Sequence, residues 1–243
     1  FSRQLTVGRS FYDILVGPLL LILVYLMVFS TKIAKVNMNL KKWIIENQNE
    51  LNISLIISIF LTIYYRASYK FVLTIFGSVL LIIIIGKNVI SKYKKTKLQG
   101  SYWTGQISHL GIGIFAIGLV LNVTQSFSNE LIISTGDTVN FGEKEFIILS
   151  PYEEIKEEKN VINLPIKFNN KEKNASLNIF KNSSQQAISS PAVFRNIQSD
   201  TYITIKVIDD DKFKLIFREN YGIFILWLGL AISSSSFLTR VRK

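Results

Sequence analysis

Residues 100–125 read GSYWTGQISHLGIGIFAIGLVLNVTQ and contain no Lys, Arg, Asp or Glu. Its apolar run, 107–123, extended by a few flanking residues, matches the roughly 20 residues a helix needs to cross the hydrocarbon of a bilayer. Directly after it the pattern changes. Short runs rich in Ile, Val, Phe and Thr recur at period two and are separated by turn residues such as Thr135-Gly136-Asp137 and Asn169-Asn170, which is strand and turn chemistry. The junction near residue 125 therefore divides a membrane region from a water-facing β region.

Upstream, residues 19–29, 53–65 and 71–85 carry no charged residue, and downstream the same holds for 223–238. With 107–123, these runs predict about five transmembrane helices. The run at 53–65 is the shortest between charges, so a full span and a buried or interfacial hairpin both remain open for it. The expected architecture is a polytopic α-helical membrane protein with a small antiparallel β domain on its outside face. Residues 1–124 form a four-helix membrane region, 125–219 the β domain, and 220–243 a last helix with a basic tail.

Within 125–219 the period-two pattern predicts strands at 130–134, 138–141, 145–149, 164–168, 175–180, 201–208 and 212–217. The charged stretch 150–163 reads as a loop or a short helix, 181–190 as a flexible loop, and Asp209-Asp210-Asp211 as a hairpin turn.

Charge sets the orientation. The chain carries 28 Lys+Arg against 17 Asp+Glu, yet residues 125–219 hold 12 against 14. The basic excess thus flanks the helices: Lys32, Lys35, Lys41 and Lys42; Lys87, Lys92, Lys94, Lys95 and Lys97; Arg240, Arg242 and Lys243. With five spans these clusters share one side, which the positive-inside rule assigns to the cytoplasm or its mitochondrial equivalent. Attraction to anionic lipid is their other expected role. No aromatic-interleaved basic patch stands on a soluble element, so nucleic acid is not an expected partner. With no Cys, the chain has no thiol chemistry of its own.

His109 is the only His in the chain and lies inside an apolar run. Ionisable groups at membrane depth are costly and usually face a bundle interior or serve a function. At helical spacing Gly105, His109, Gly113 and Ala116 share one face, with Gly111 and Gly118 on an adjacent stripe. Two readings follow. Small residues permit close helix packing with His109 bonded to a carbonyl, or they make room for a flat porphyrin with His109 as axial iron ligand. His109 is expected near the cytoplasmic end of its helix, about one turn in.

The segment Gly100-Ser-Tyr-Trp-Thr-Gly-Gln-Ile-Ser-His-Leu-Gly-Ile-Gly-Ile resembles the Ala-His-Leu-Gly signature that opens a late transmembrane helix in the CcmF family of cytochrome c haem lyases. Phe127-Ser-Asn-Glu with Thr135-Gly-Asp-Thr-Val resembles the start of that family's periplasmic β domain. Ser190-Pro-Ala-Val-Phe-Arg-Asn, Leu226-Trp-Leu-Gly-Leu and Leu5-Thr-Val-Gly-Arg-Ser-Phe-Tyr-Asp resemble further segments in the same order.

The resemblance implies attachment of haem to apocytochrome c, with His109 ligating a transmembrane haem b and Gly105 and Gly113 beside it. It also implies a bacterial or mitochondrial inner-membrane location, a haem-carrier protein and apocytochrome c as partners, and lipid around the helices. The family's tryptophan-rich WWD segment and the opposing axial His are absent, so they are expected on an N-terminal portion or a separate chain. Two motifs depart from the family: its Arg-Asp is Arg195-Asn196, and its Lys-Pro before the last helix is replaced around 218–221. The contrasting expectation is a membrane scaffold or transport-complex subunit whose β domain docks partners and whose His is structural.

Overall fold

A computed structural model describes residues 9–33, 39–66, 68–93, 100–181, 187–209 and 212–238. The chain divides into two compact units. One comprises Phe1–Gln125 with Gly222–Lys243, the other Ser126–Tyr221. Lys35, Lys94, Lys95, Lys97, Arg240, Arg242 and Lys243 of the basic clusters, and Asp210 and Asp211 of the acidic turn, lie outside the described residues.

The first unit is helical: α1 (Arg9–Ile33), α2 (Leu40–Glu46), α3 (Gln48–Tyr64), α4 (Val72–Tyr93), α5 (Gly100–Gln125) and α6 (Ile223–Ser235). Among the described residues two helices are long and apolar enough to cross a membrane, over Val72–Ser91 and Ser101–Gln125, while Gly17–Ser30 and Ile223–Ser235 are shorter apolar stretches. The sequence expectation of five spans therefore reduces, on helix length alone, to a helical unit with two such helices.

Asparagines punctuate the start of the α2–α3 region. Asn39 caps α2 by accepting from the Lys42 amide at 2.8 Å, satisfying one of the donors a helix N-terminus leaves open. Asn47 interrupts the helix at φ −117°, ψ 21°, and its side-chain amide donates to the Trp43 carbonyl at 2.7 Å. Trp43 is thereby held in the core against Phe29, ring centroids 5.2 Å apart, with Val28, Leu80, Leu81 and Ile84 around it.

α3 and α4 bury a row of hydroxyls: Ser54, Ser58, Thr74 and Ser78. Ser58 donates to the Ser54 carbonyl at 2.5 Å and Ser78 to the Thr74 carbonyl at 2.7 Å. Ser58 and Ser78 thus bond within their own helices, one turn back, and remain small and self-satisfied where the helices meet. Glu50 of α3 forms an ion pair with Lys87 of α4.

The second unit has ten strands among its described residues: β1 (Phe127–Ser134), β2 (Thr138–Phe141), β3 (Lys144–Ile148), β4 (Tyr152–Ile155), β5 (Lys159–Phe168), β6 (Lys171–Phe180), β7 (Ala187–Ser190), β8 (Ala192–Arg195), β9 (Ser199–Asp209) and β10 (Lys212–Tyr221). One sheet runs β1-β10-β9-β8; the other runs β2-β3-β5-β6-β7, with β4 also paired to β5. The pairings among these strands are antiparallel. Alternation sends Phe146, Ile148, Leu164, Ile166, Ile203, Ile205, Leu215 and Phe217 into one core. Phe141, Phe217, Phe146 and Phe194 link through it at centroid separations of 5.0, 5.5 and 5.6 Å.

Two sequence expectations change here. Residues 150–163 hold β4 and the first half of β5, paired Tyr152↔Asn163 through Ile155↔Asn160, not a helix. β4 has little buried surface, with Ile155 78% exposed, so no apolar alternation marks it and backbone pairing alone defines it. Residues 187–190 of the expected flexible loop form β7, held to β6 as the Asn178 amide donates to the Ile188 carbonyl at 3.2 Å and the Ser190 hydroxyl at 3.1 Å.

Candidate functional site

α5 begins at Gly100, well before the apolar run that marks it in the sequence. His109 therefore sits nine residues into the helix, about 14 Å from its start, and not one turn in. The polar residues Tyr102, Trp103, Thr104 and Gln106 extend the helix because helical hydrogen bonding, not hydropathy, sets its beginning.

The imidazole has a defined arrangement. Nδ1 lies 2.6 Å from the Gly105 carbonyl oxygen, one turn back on the same helix. A carbonyl can only accept, so the ring proton is on Nδ1 and donates to Gly105. Nε2 then carries a lone pair in the neutral ring.

Nε2 lies 3.4 Å from the Ser30 hydroxyl of α1. That hydroxyl already donates to the Met27 carbonyl at 2.9 Å. With its single proton committed there, Ser30 turns oxygen lone pairs toward Nε2, and the long contact is not a strong hydrogen bond. A backbone carbonyl that fixes one ring nitrogen and leaves the other as donor is the usual support of a metal-bound histidine.

The glycines around His109 divide by direction. A Cβ on Gly105 would meet no atom of the described residues within 4 Å, so among these residues the helix face one turn from the imidazole is open. A Cβ on Gly113 would stand 3.2 Å from Ile82 Cγ1 and 3.4 Å from the Ser78 carbonyl oxygen. Gly113 thus meets α4, and of the two glycines beside His109 only Gly105 borders open space.

The adjacent stripe has a different partner. Cβ atoms on Gly111 and Gly118 would lie 2.4 Å from the Ser233 amide nitrogen and 2.5 Å from that of Leu226. Reciprocally, a Cβ on Gly229 would lie 2.4 Å from the Phe115 nitrogen. α5 and α6 therefore meet backbone to backbone, as small residues in membrane helices permit. Sequence spacing grouped Gly111 and Gly118 together, but nothing in it named α6 as their partner.

This donor chemistry suits an iron porphyrin, which His109 Nε2 would hold. Among the described residues no group of three or more His, Cys, Asp or Glu side chains is placed to bind a metal ion, and His109 is the only His in the chain. A second imidazole ligand would therefore come from outside the chain.

No protein-family model matches the sequence. A stretch of 50 residues is 46% identical to cytochrome c-type biogenesis protein CcmF of Pseudomonas aeruginosa, covering 21% of this chain and 8% of that protein. Among solved structures, cytochrome c haem lyase CcmF superposes with a TM-score of 0.79 over 97% of this chain at 10% identity. The match covers 41% of that solved chain, so the present chain spans less than half of its length. The helices and the two-sheet unit together have the fold of that part of CcmF.

Proposed function

We infer that this chain is the C-terminal part of a CcmF-type haem lyase that joins haem to apocytochrome c. In that role it is a multi-pass protein of a bacterial or mitochondrial inner membrane, with about five spans and the β unit on the periplasmic or intermembrane-space side. The likeness of 97% of this chain to part of the solved haem lyase and the local identity to the Pseudomonas protein support this reading. An N-terminal portion or separate chain, a haem-carrier protein and apocytochrome c are the partners it requires.

The observation that carries the site is the paired commitment of protons around His109. Gly105 takes the Nδ1 proton and Met27 takes that of Ser30, leaving the Nε2 lone pair for a ligand. Ser30 is exposed and already satisfied, so yielding its contact with Nε2 loses no hydrogen bond. In this reading Gly105 keeps the helix face beside the ring flat, and Gly113 holds α4 close behind it. A haem b ligated here would supply one-electron transfer within the membrane. His109 fixes its iron, the Gly105 carbonyl orients the ring, and the apolar helices exclude water.

The test is a reduced-minus-oxidised visible spectrum of the solubilised complex containing this chain, wild type beside His109→Ala. The expected result is a haem b band in the wild type that is lost in the variant while assembly persists, and that returns in part with added imidazole. An unchanged band in an assembled His109→Ala complex removes His109 as the ligand.

A further inference from the structure

The β unit as a whole is slightly acidic, with 12 basic and 14 acidic residues over 125–219. One end of it is not. A cavity of about 470 Å³ opens there, lined by Lys144, Lys171, Lys173, Arg195, Phe168 and Phe194 among others, and no Asp or Glu is among its lining residues. Its size lies within the range of small-ligand pockets.

The strand register explains how the cations come together. On β6, Lys171 and Lys173 share a face with Ala175 and Leu177, which are in the core. Their partners across the β5–β6 ladder are Phe168 and Ile166, on the core face of β5. The core-facing row of β6 therefore changes from apolar to basic where the two sheets open. Lys at such positions breaks the alternation that the rest of the strand obeys, and breaks of this kind concentrate at functional sites.

Lys144 is already engaged. Its ammonium donates to Glu219 at 2.6 Å, Thr201 at 2.9 Å and Ser199 at 3.2 Å, and Ser199 also donates to Glu219 at 2.5 Å. This buried network ties β3 to β9 and β10 and makes a rigid wall. Lys171, Lys173 and Arg195 form no ion pair among the described residues. Glu172 alternates to the opposite face of β6, across from Lys167. Asp200, across from Arg195 in the β8–β9 ladder, is buried and does not line the cavity.

We propose that this mouth binds a small ligand with an apolar body and at least two anionic oxygens, from carboxylate or phosphate groups. The phenyl rings receive the body, and the ammonium groups of Lys171 and Lys173 receive the charge. The proposal stands on the β unit alone and does not depend on haem ligation by His109.

Isothermal titration of the detergent-solubilised full chain with benzene-1,3,5-tricarboxylate and, separately, with inorganic pyrophosphate tests it. The expected result is saturable binding of one probe, weakened about tenfold or more by Lys171→Gln with Lys173→Gln, and unchanged by Lys167→Gln on the other face of the hairpin. Tighter tricarboxylate binding assigns a carboxylate ligand; tighter pyrophosphate binding assigns a phosphate. Added salt weakens either. The proposal fails if neither probe binds more tightly than about 1 mM, or if the double variant binds as well as the wild type. It fails equally if the double variant aggregates while the wild type binds neither probe, because the lysines then only guard the part of β6 that extends beyond its pairing with β7.

Discussion

Gly111 and Gly105 lie on one helix and would be indistinguishable by composition, yet their surroundings are opposite. At Gly111 the neighbouring backbone of α6 comes so close that a methyl group has no place; at Gly105 there is open space among the described residues. One side of α5 is a sealed joint and the other is a receptive face carrying His109. A small residue in a membrane helix therefore has two separable uses, closing a gap or leaving one, and the difference is set by what the rest of the chain brings opposite it.

The sealed side predicts the largest effect. In Gly111→Ala the new Cβ falls 2.4 Å from the Ser233 nitrogen and 2.6 Å from the Gly229 carbonyl oxygen. Both are backbone atoms and cannot rotate away, so α5 and α6 must separate along the seam. A cost of about 3 kcal/mol or more is expected, at the upper end for overpacking. Thermal unfolding of the solubilised chain measures it, and Gly229→Ala, which meets the same seam from α6, should act alike. A Gly111→Ala protein as stable as the wild type would mean that the two helices do not meet at this point.

Gly113→Ala is the intermediate case. Its Cβ would meet a side-chain atom, Ile82 Cγ1 at 3.2 Å, before the Ser78 carbonyl at 3.4 Å. Alanine restores helix propensity worth about 1 kcal/mol, but Ile82 is β-branched and stiff at χ1 in a helix, so it yields only by moving α4. A net loss of about 1 kcal/mol is expected in the same unfolding measurement. An Ile82→Ala background, which lacks the Cγ1 atom that meets the new methyl, should recover part of that loss. No recovery would place the strain at Ser78 instead.

Much of this arrangement can be read from one dimension, and what cannot has physical causes. The core strands β2, β3, β5, β6, β9 and β10 announce themselves because one face is buried, so apolar residues must alternate. β4 and β7 escape notice because they are short partners at the sheet margin, with pairing supplied by backbone and by Asn178. His109 stands out as the only His, Lys, Arg, Asp or Glu between Lys97 and Glu130. The commitment of its Nδ1 proton to Gly105 is implicit in helical spacing, but the contact with Ser30 is not, since it joins residues 79 apart. The basic mouth is the least legible of all. Lys171 and Lys173 read as ordinary turn-flanking charges until the β5–β6 register puts them on the core face.

The smallest effect on stability, and the sharpest test of the contrast, belongs to Gly105→Ala. No atom of the described residues within 4 Å opposes the added methyl, and alanine is the better helix former by about 1 kcal/mol, so the helical unit alone should be unchanged or slightly more stable. The substitution also keeps the carbonyl that accepts from His109 Nδ1, so the imidazole retains its proton placement and its Nε2 lone pair. A ligand held only by that nitrogen would not sense the change. A flat ligand lying along the helix face would, because the methyl stands where its edge approaches. Unfolding and haem content measured on the same preparation separate the cases. Preserved stability with reduced haem content makes Gly105 part of the haem-binding face. Preserved stability with full haem content confines the contact to Nε2 and turns the macrocycle away from α5 at this turn. A loss of stability would contradict the open space itself and erase the difference between the two sides of the helix.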